Sequence, residues 1–584
     1  MPFNKPWFTH YENVPPSLDY PHVTLYEAFI KSALRVPDKI AWDFMGTLCS
    51  YRDFATAISR CADALSSLGL KRGDTITISM PTSPAGIISF YAANKLGAVA
   101  SMIHPLSTES EIEFYLNLSN STMALTLDAF SGKFLAVMEK TPCKRLILTR
   151  IGDYLSPVKR LGFWLTKGRK IPKVPQNPQI SWWQDLMKTR FPNQDKAPMD
   201  PHDTAVILYS GGTTGKPKGI LLSNMNFISQ GMMVAAWGNL DETDAILAIL
   251  PIFHGFGLGV CVNAAFMGGA KSILVPQFTP EIVAKLIRTK KPSFIIGVPT
   301  LYAALNKNKD FQQSDLACLK AAFSGADTLP GVVKKEFEAI VRSRGGNVKL
   351  LEGYGLTEAV TAIMAMPLNT YRKDSIGVPF PDMDAKIVLD NSLEQAPFGE
   401  DGEICLSGPA VMKGYLNQKE ETDKTLRIHE DGKTWLHTGD IASQDKDGFF
   451  YFKLRQKRMI KSSGMNVYPA QVEEVLYQHP CVAEVCVIGV PDKEQVERVK
   501  AFVVLKKGEV PDGTLPHGTL PNGAMEKDLI DHCRNHLIKW SCPRTIEFRE
   551  TLPVTLVGKV AFKTLEDQEL ASLRQQGEYT GDHS

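Results

Sequence analysis

The sequence TAVILYSGGTTGKPKGILLSNMNF occupies residues 204–227 and decides how the chain is read. From Thr204 it is an apolar run of strand length. The run opens into a loop from Ser210 to Gly219, and a helix capped near Ser223 follows. The loop suits a phosphate. Gly211, Gly212 and Gly215 let backbone amides approach phosphate oxygens, Ser210, Thr213 and Thr214 supply hydroxyl donors, and Lys216 and Lys218 supply positive charge. A Walker loop is excluded, because Lys216 is followed by Pro217 where that pattern needs Ser or Thr beside magnesium. A dinucleotide fingerprint is excluded too, since GFGLGV at Gly255 has the wrong third spacing.

Outward from this loop, short apolar runs alternate with helical periodicity from about Leu25 to Val275. The amphipathic stretch 26–37 precedes strand-like TITISM at 75–80, a helix around 87–96 and then AVASMIHP. That alternation predicts an α/β fold with a parallel sheet clothed on both faces. Beyond about Lys457 the character changes to a helix at 470–477 followed by the strands VAEVCVIGV and RVKAFVVLKK, a small α+β unit. The basic connection FFYFKLRQKRMIKSSG joins the two, which predicts domains at 1–456 and 457–584.

Composition narrows the function classes. The 584 residues predict several packed units, and 44% hydrophobic with 22% charged residues is the balance of a globular protein. A net charge of +2 supplies no global field for nucleic acid. The ten cysteines lack a Cys-x-x-Cys pair, which predicts free thiols in a reducing compartment. The first residues lack a signal-peptide pattern, so a cytoplasmic location is expected. The most apolar region, 246–276, is broken by Pro251, His254 and five glycines before Lys271, so no transmembrane helix is expected. Residues 154–175 carry six basic residues and no acid, with Leu155, Val158, Leu161 and Leu165 at helical spacing. They predict a basic amphipathic helix, packed on its own domain in the plain reading and touching an anionic membrane in the functional one. The repeat-like DGTLPHGTLPNG at 512–523 reads as a loop.

YSGGTTGKPKG resembles the signature loop of the adenylate-forming superfamily, which includes acyl-CoA synthetases, luciferases and adenylation domains of peptide synthetases. Eight further segments match in that family's order: GAVASMIHP at Gly97, LPIFHGFG at Leu250, SGADTLP at Ser324, EGYGLTE at Glu352, GEICLSGPAVMKGYLN at Gly402, WLHTGD at Trp435, RMIKSSGMNVYPAQVEEVL at Arg458 and LPVTLVGK at Leu552. The resemblance implies a large N-terminal αβ domain of several subdomains and a small mobile C-terminal lid. It also implies two half-reactions: a carboxylate attacks the α-phosphorus of ATP, giving acyl-adenylate and pyrophosphate, and the thiol of coenzyme A then displaces AMP.

The same resemblance implies the site residues. Thr357 would donate to the α-phosphate and Glu358 would hold Mg2+. Gly325, Ala326 and Asp327, with Glu352, Gly353, Tyr354 and Gly355, would form the adenine pocket. Asp440 would take the ribose hydroxyls, with Arg455 beside it, although the usual glycine before that arginine is Leu454 here. Lys559 would bridge the acyl carboxylate and the α-phosphate, neutralising charge between two anions. Lys457 would be the hinge, and its rotation would bring Lys461 and Gly464 over the site for the thiol step. His254 would stand near the acyl group. An amino-acid-activating relative would carry Asp there, so an α-amino acid is disfavoured.

The acyl pocket is expected along 256–260, 298–302 and Ser324, whose apolar and small residues favour an apolar acid. The overall length and the basic insertion at 154–175 resemble those of bacterial medium- and long-chain fatty acyl-CoA synthetases. Open alternatives are an acyl-AMP ligase loading a carrier protein, a CoA ligase for an aromatic or other apolar acid, a luciferase-like oxygenase, and a non-catalytic protein that keeps the fold.

Overall fold

The computed structural model describes residues 5–166, 168–192, 200–210, 217–389, 393–455, 458–462, 465–492, 496–506, 523–554 and 560–575. The apolar run at Thr204–Ser210 forms a strand with Ala205, Val206, Ile207 and Leu208 buried. It is paired on both edges, which explains why its sequence is continuously apolar rather than alternating. On one side it runs parallel to Val99–Met102, and the parallel series continues through Thr75–Ser79, Ser121–Leu127, Arg145–Thr149 and Ile180–Trp182. On the other it pairs antiparallel with Lys218–Ser223, and Gly414–Tyr415 closes that edge of the eight-stranded sheet.

A second sheet of nine strands has a parallel centre made of Leu350–Leu356, Ala321–Ser324, Phe294–Gly297, Ala245–Ala248, Lys271–Leu274 and Ile40–Phe44. Antiparallel strands sit at both of its ends. Helix Asn224–Trp237 touches strands of both sheets and is buried on nearly every side. So is helix Pro84–Lys95, all twelve of whose residues are buried. Neither shows an apolar stripe, as expected of helices enclosed by protein all round. Ser223 starts the first of them with a capping box, accepting from the Asn226 N–H at 3.1 Å while Asn226 Oδ1 accepts from the Ser223 N–H at 2.8 Å.

A third sheet contains Asp384–Val388, Gly402–Ser407, Thr434–Gln444 and Leu426–Ile428, with Phe450–Arg455 paired to the long strand. The chain then changes sheets. Arg455 ends the last strand of the third, and Ile460–Ser462 already belongs to a C-terminal sheet with Met465–Val467, Val496–Leu505, Val482–Asp492 and Thr545–Phe548. That unit has apolar cores of its own, packed beneath helices Pro469–Tyr477, Gly523–His536 and Phe562–Gln575. It meets the large unit where the Tyr468 hydroxyl donates to Asp401 at 3.3 Å.

Helix Pro157–Thr166 has no buried residue. Leu155 is buried and Phe163 packs on the core, but Val158, Leu161, Trp164 and Leu165 are each at least half exposed. The helix is anchored instead by polar bonds, from Lys159 to the Met45 carbonyl and from Arg160 Nε to the Gly152 carbonyl at 2.9 Å. Among the described residues no helix is long and apolar enough to cross a membrane. The 512–523 loop lies outside the described residues apart from Gly523.

Candidate functional site

The strands on either side of the phosphate-loop segment, Thr204–Ser210 and Lys218–Ser223, pair antiparallel, Ser210 with Lys218 and Tyr209 with Gly219. The sequence led to strand, loop and helix, whereas a second strand, Lys218–Ser223, intervenes before the helix. Gly211, Gly212, Thr213, Thr214, Gly215 and Lys216 lie outside the described residues. Lys218 is paired with Glu421 at 2.6 Å and lies 4.8 Å from the centroid of the Tyr415 ring. The Tyr415 hydroxyl donates to Glu358 Oε1 at 3.0 Å, and the Met412 N–H donates to the Glu358 carbonyl at 2.7 Å. Glu358 is therefore fixed from both ends, with no described donor on Oε2. A half-buried carboxylate held this way fits the hard oxygen ligand that Mg2+ takes beside phosphates.

Thr357 and Glu358 sit on a short 3-10 turn, Thr357–Ala359, between strands Leu350–Leu356 and Thr361–Ala365. The turn is tight: a Cβ on Gly355 would lie 1.1 Å from the Thr361 carbonyl oxygen. Its exit places two β-branched residues in left-handed backbone, Val360 at φ 53° and Thr361 at φ 87°. Such residues rarely adopt positive φ, and each costs about 1–3 kcal/mol. Ahead of the turn the Tyr354 hydroxyl donates to Asp440 Oδ2 at 2.7 Å. Asp440 is 1% exposed, so this carboxylate is withdrawn from bulk water. Its strand neighbour across the ladder is Arg455. Burial raises the Glu352 carboxyl above its ordinary range, opposed by Lys334 at 3.6 Å, and the Tyr371 hydroxyl donates to it at 3.2 Å. Ala326 holds a left-handed φ of 73° next to Gly325, while Asp327 is exposed.

Beside this group lies a cavity whose unfilled space, part of it open to solvent, comes to about 670 Å³. Gly325, Gly353, Tyr354 and Gly355 line it, so the segments assigned to the adenine pocket also border this space. Phe256 and Val260 reach it from the π-helical segment Phe256–Asn263, and Ser324 from the end of its strand. Among the described residues no charged one lines it. Two buried hydroxyls on its wall, Ser324 Oγ and Thr361 Oγ1, have no described partner. A carboxylate entering here would find donors unspent. Close packing shapes this corner: a Cβ on Gly255 would stand 2.2 Å from Thr361 Oγ1.

The rest of the wall was not anticipated. Val234, Trp237, Leu240 and Phe380 line the cavity, whereas residues 298–302 do not. Helix Pro299–Lys307 turns Leu301, Tyr302 and Leu305 into the core, and the Tyr302 hydroxyl is tied to the carbonyls of Ile295 at 3.0 Å and Phe323 at 2.8 Å. His254 is not on the cavity wall; its Nδ1 accepts the Phe256 N–H at 3.2 Å at the start of the π-helical segment. In the C-terminal unit the Lys461 backbone pairs with Asn466. Arg458, where the family often carries an acid, is paired with Glu473 at 2.7 Å inside that unit. Lys457, Gly464 and Lys559 lie outside the described residues.

Comparison with known proteins agrees with this arrangement. The family model described as AMP-binding enzyme matches residues 29–416, and that of its C-terminal domain matches residues 471–559. A long-chain-fatty-acid–CoA ligase of Bacillus subtilis is 36% identical over 576 residues, covering 97% of this chain and 99% of that protein. One of Salmonella typhimurium is 34% identical, covering 97% of this chain and 98% of the relative. Among solved structures, the anthranilate CoA ligase AuaEII in complex with anthranoyl-AMP superposes with a TM-score of 0.81 at 24% identity, over 97% of this chain and 99% of that one. ATP-bound MatB from Rhodopseudomonas palustris gives 0.80 at 23% identity, over 94% and 99% respectively. With both domains matched in order and relatives aligned from end to end, the chain belongs to the AMP-binding, adenylate-forming family of enzymes.

Proposed function

We propose that this enzyme is an acid–thiol ligase that activates a medium- or long-chain fatty acid with ATP and passes the acyl group to coenzyme A. The observation that carries this reading is an uncharged, apolar-walled cavity abutting the Tyr354–Asp440 pair, so that one substrate with an apolar tail and a carboxylate head can span the two. The full-length similarity to long-chain-fatty-acid–CoA ligases supports the same acid class.

In the first step a carboxylate oxygen attacks the α-phosphorus, the bond to the β-phosphate oxygen breaks, and pyrophosphate leaves. In the second the coenzyme A sulfur attacks the acyl carbonyl, the bond to the AMP oxygen breaks, and the thiol proton is lost to solvent. Ser324 and Thr361 can donate to the carboxylate head and orient it, Asp440 accepts from the ribose, and Glu358 would hold Mg2+. The metal ion, when bound, offsets the charge of the phosphates. Lys559 serves the first step, and Lys461 and Gly464 the second, after the C-terminal unit turns about Lys457. A panel of acids from acetate to palmitate, with benzoate, tests the assignment. Palmitate or decanoate should give acyl-CoA, AMP and pyrophosphate only when ATP, Mg2+ and coenzyme A are all present. Acylation of a holo-carrier protein with free coenzyme A ignored would move the acceptor, and preference for benzoate would move the acid.

The cavity wall yields a specificity prediction. Val234→Phe puts bulk into the space and should lower kcat/KM for palmitate by about tenfold or more relative to octanoate. Unchanged chain-length preference would remove the cavity as the acyl site.

We place the enzyme in the cytoplasm, peripheral to the inner face of the membrane. The exposed apolar side of Pro157–Thr166 beside Arg169 and Lys170 has the make-up of a helix lying on anionic lipid. A Leu161→Ser/Trp164→Ser/Leu165→Ser variant should lose co-sedimentation with phosphatidylglycerol vesicles while keeping its activity on detergent-dispersed acid. Equal sedimentation of variant and wild type would exclude this contact.

A further inference from the structure

A separate cluster lies in the third sheet, away from the cavity wall. Cys405 and His437 are cross-strand partners in the ladder of Gly402–Ser407 with Thr434–Gln444, and His429 stands just after the neighbouring strand Leu426–Ile428. All three are buried, with exposures of 0%, 7% and 4% respectively. One ligating atom from each lies within 4.8 Å of the others. The two imidazoles face each other through Nε2 at 2.9 Å. His437 Nδ1 donates to Glu403 Oε2 at 2.7 Å and lies 3.5 Å from Cys405 Sγ, while its Nε2 faces His429.

Two nitrogens bound to one tetrahedral zinc ion at about 2.05 Å each stand about 3.3 Å apart, so the imidazoles need open by only a few tenths of an ångström. A carboxylate on the far nitrogen of a histidine is the arrangement that fixes the tautomer and orientation of a metal-bound imidazole. His429 is the third buried group of the cluster. Its Nδ1 has no described partner.

We infer that Cys405, His429 and His437 form a buried zinc site, braced by Glu403, that is distinct from the Mg2+ position at Glu358. Sulfur and imidazole ligands select zinc over magnesium. On binding, the Cys405 thiol releases its proton to solvent and the sulfur becomes a thiolate ligand, while the proton between the two Nε2 atoms passes to His429 Nδ1. A thiolate, not a thiol, ligates zinc, so binding proceeds with loss of that proton. The cluster reaches the nucleotide side through one residue, because Glu403 Oε1 accepts the N–H of Gly439, the neighbour of Asp440, at 2.7 Å.

The test uses the reduced full-length protein with Zn2+ and Co2+ as probes. Wild type should retain stoichiometric zinc after dialysis, and Co2+ should produce a thiolate-to-metal charge-transfer band. Cys405→Ser should abolish the band, His429→Gln should abolish retention, and Glu403→Gln should weaken binding about 10- to 100-fold. X-ray absorption of zinc-loaded wild type, which needs no variant to fold, should find one sulfur among nitrogen ligands. No retained zinc, a shell without sulfur, or a cobalt band that survives Cys405→Ser would overturn the site.

Discussion

Asp440→Asn is expected to lower kcat/KM for ATP in pyrophosphate exchange by about 10²- to 10⁴-fold. The estimate comes from two hydrogen bonds between ribose hydroxyls and a charged acceptor, at about 1.5–3 kcal/mol each, with 1.36 kcal/mol per factor of ten. Burial sharpens the effect, because Asp440 is 1% exposed and water cannot replace the lost acceptor. Tyr354→Phe is the matched control. It removes the hydroxyl that donates to Asp440 at 2.7 Å but leaves the carboxylate for the ribose, so its penalty should be smaller. Melting curves of both variants separate loss of binding from loss of fold. An Asp440→Asn enzyme with unchanged dependence on ATP would take the ribose role away from this residue.

The second large effect is expected at Lys559. Lys559→Ala should slow acyl-adenylate formation by about 10²- to 10³-fold, the cost of removing one group aimed at developing charge. Thioester formation from supplied acyl-adenylate should stay within a few-fold of wild type, because the role proposed for this lysine lies only in the step in which two anions meet. Single-turnover assays of the two halves provide the readout. Equal loss in both would refute a division of labour between the C-terminal unit's two placements.

Much of the frame was legible. The helix start at Ser223 follows from serine three residues before Asn226, and the strand Thr204–Ser210 from an unbroken apolar run. The cavity was legible only where its wall comes from small or aromatic residues in motif segments, such as Phe256 and Ser324. Val234 and Trp237 lie on a helix enclosed on all sides, so periodicity could not single out the face that borders the space. Residues 298–302 are as apolar as a pocket lining, yet Tyr302 spends its hydroxyl on two carbonyls inside the core. The pairing of Lys218–Ser223 with Thr204–Ser210 was also hidden, because Lys218–Ser223 is short and merges with the helical sequence after it. The left-handed backbone of Val360 and Thr361 has no signature at all; AVTAIMA reads as plain strand.

That pair of residues bears on how the enzyme can change. Proteins leave many small gains in heat resistance unused, and a bend where valine and threonine occupy glycine's territory invites one, but both side chains are buried, so a glycine there would give up core packing as it relieved strain. The gain there would come from relaxing the hydroxyl-bearing corner that faces the carboxylate head. Selection for endurance and selection for turnover thus meet at the same two positions, and they pull in opposite directions.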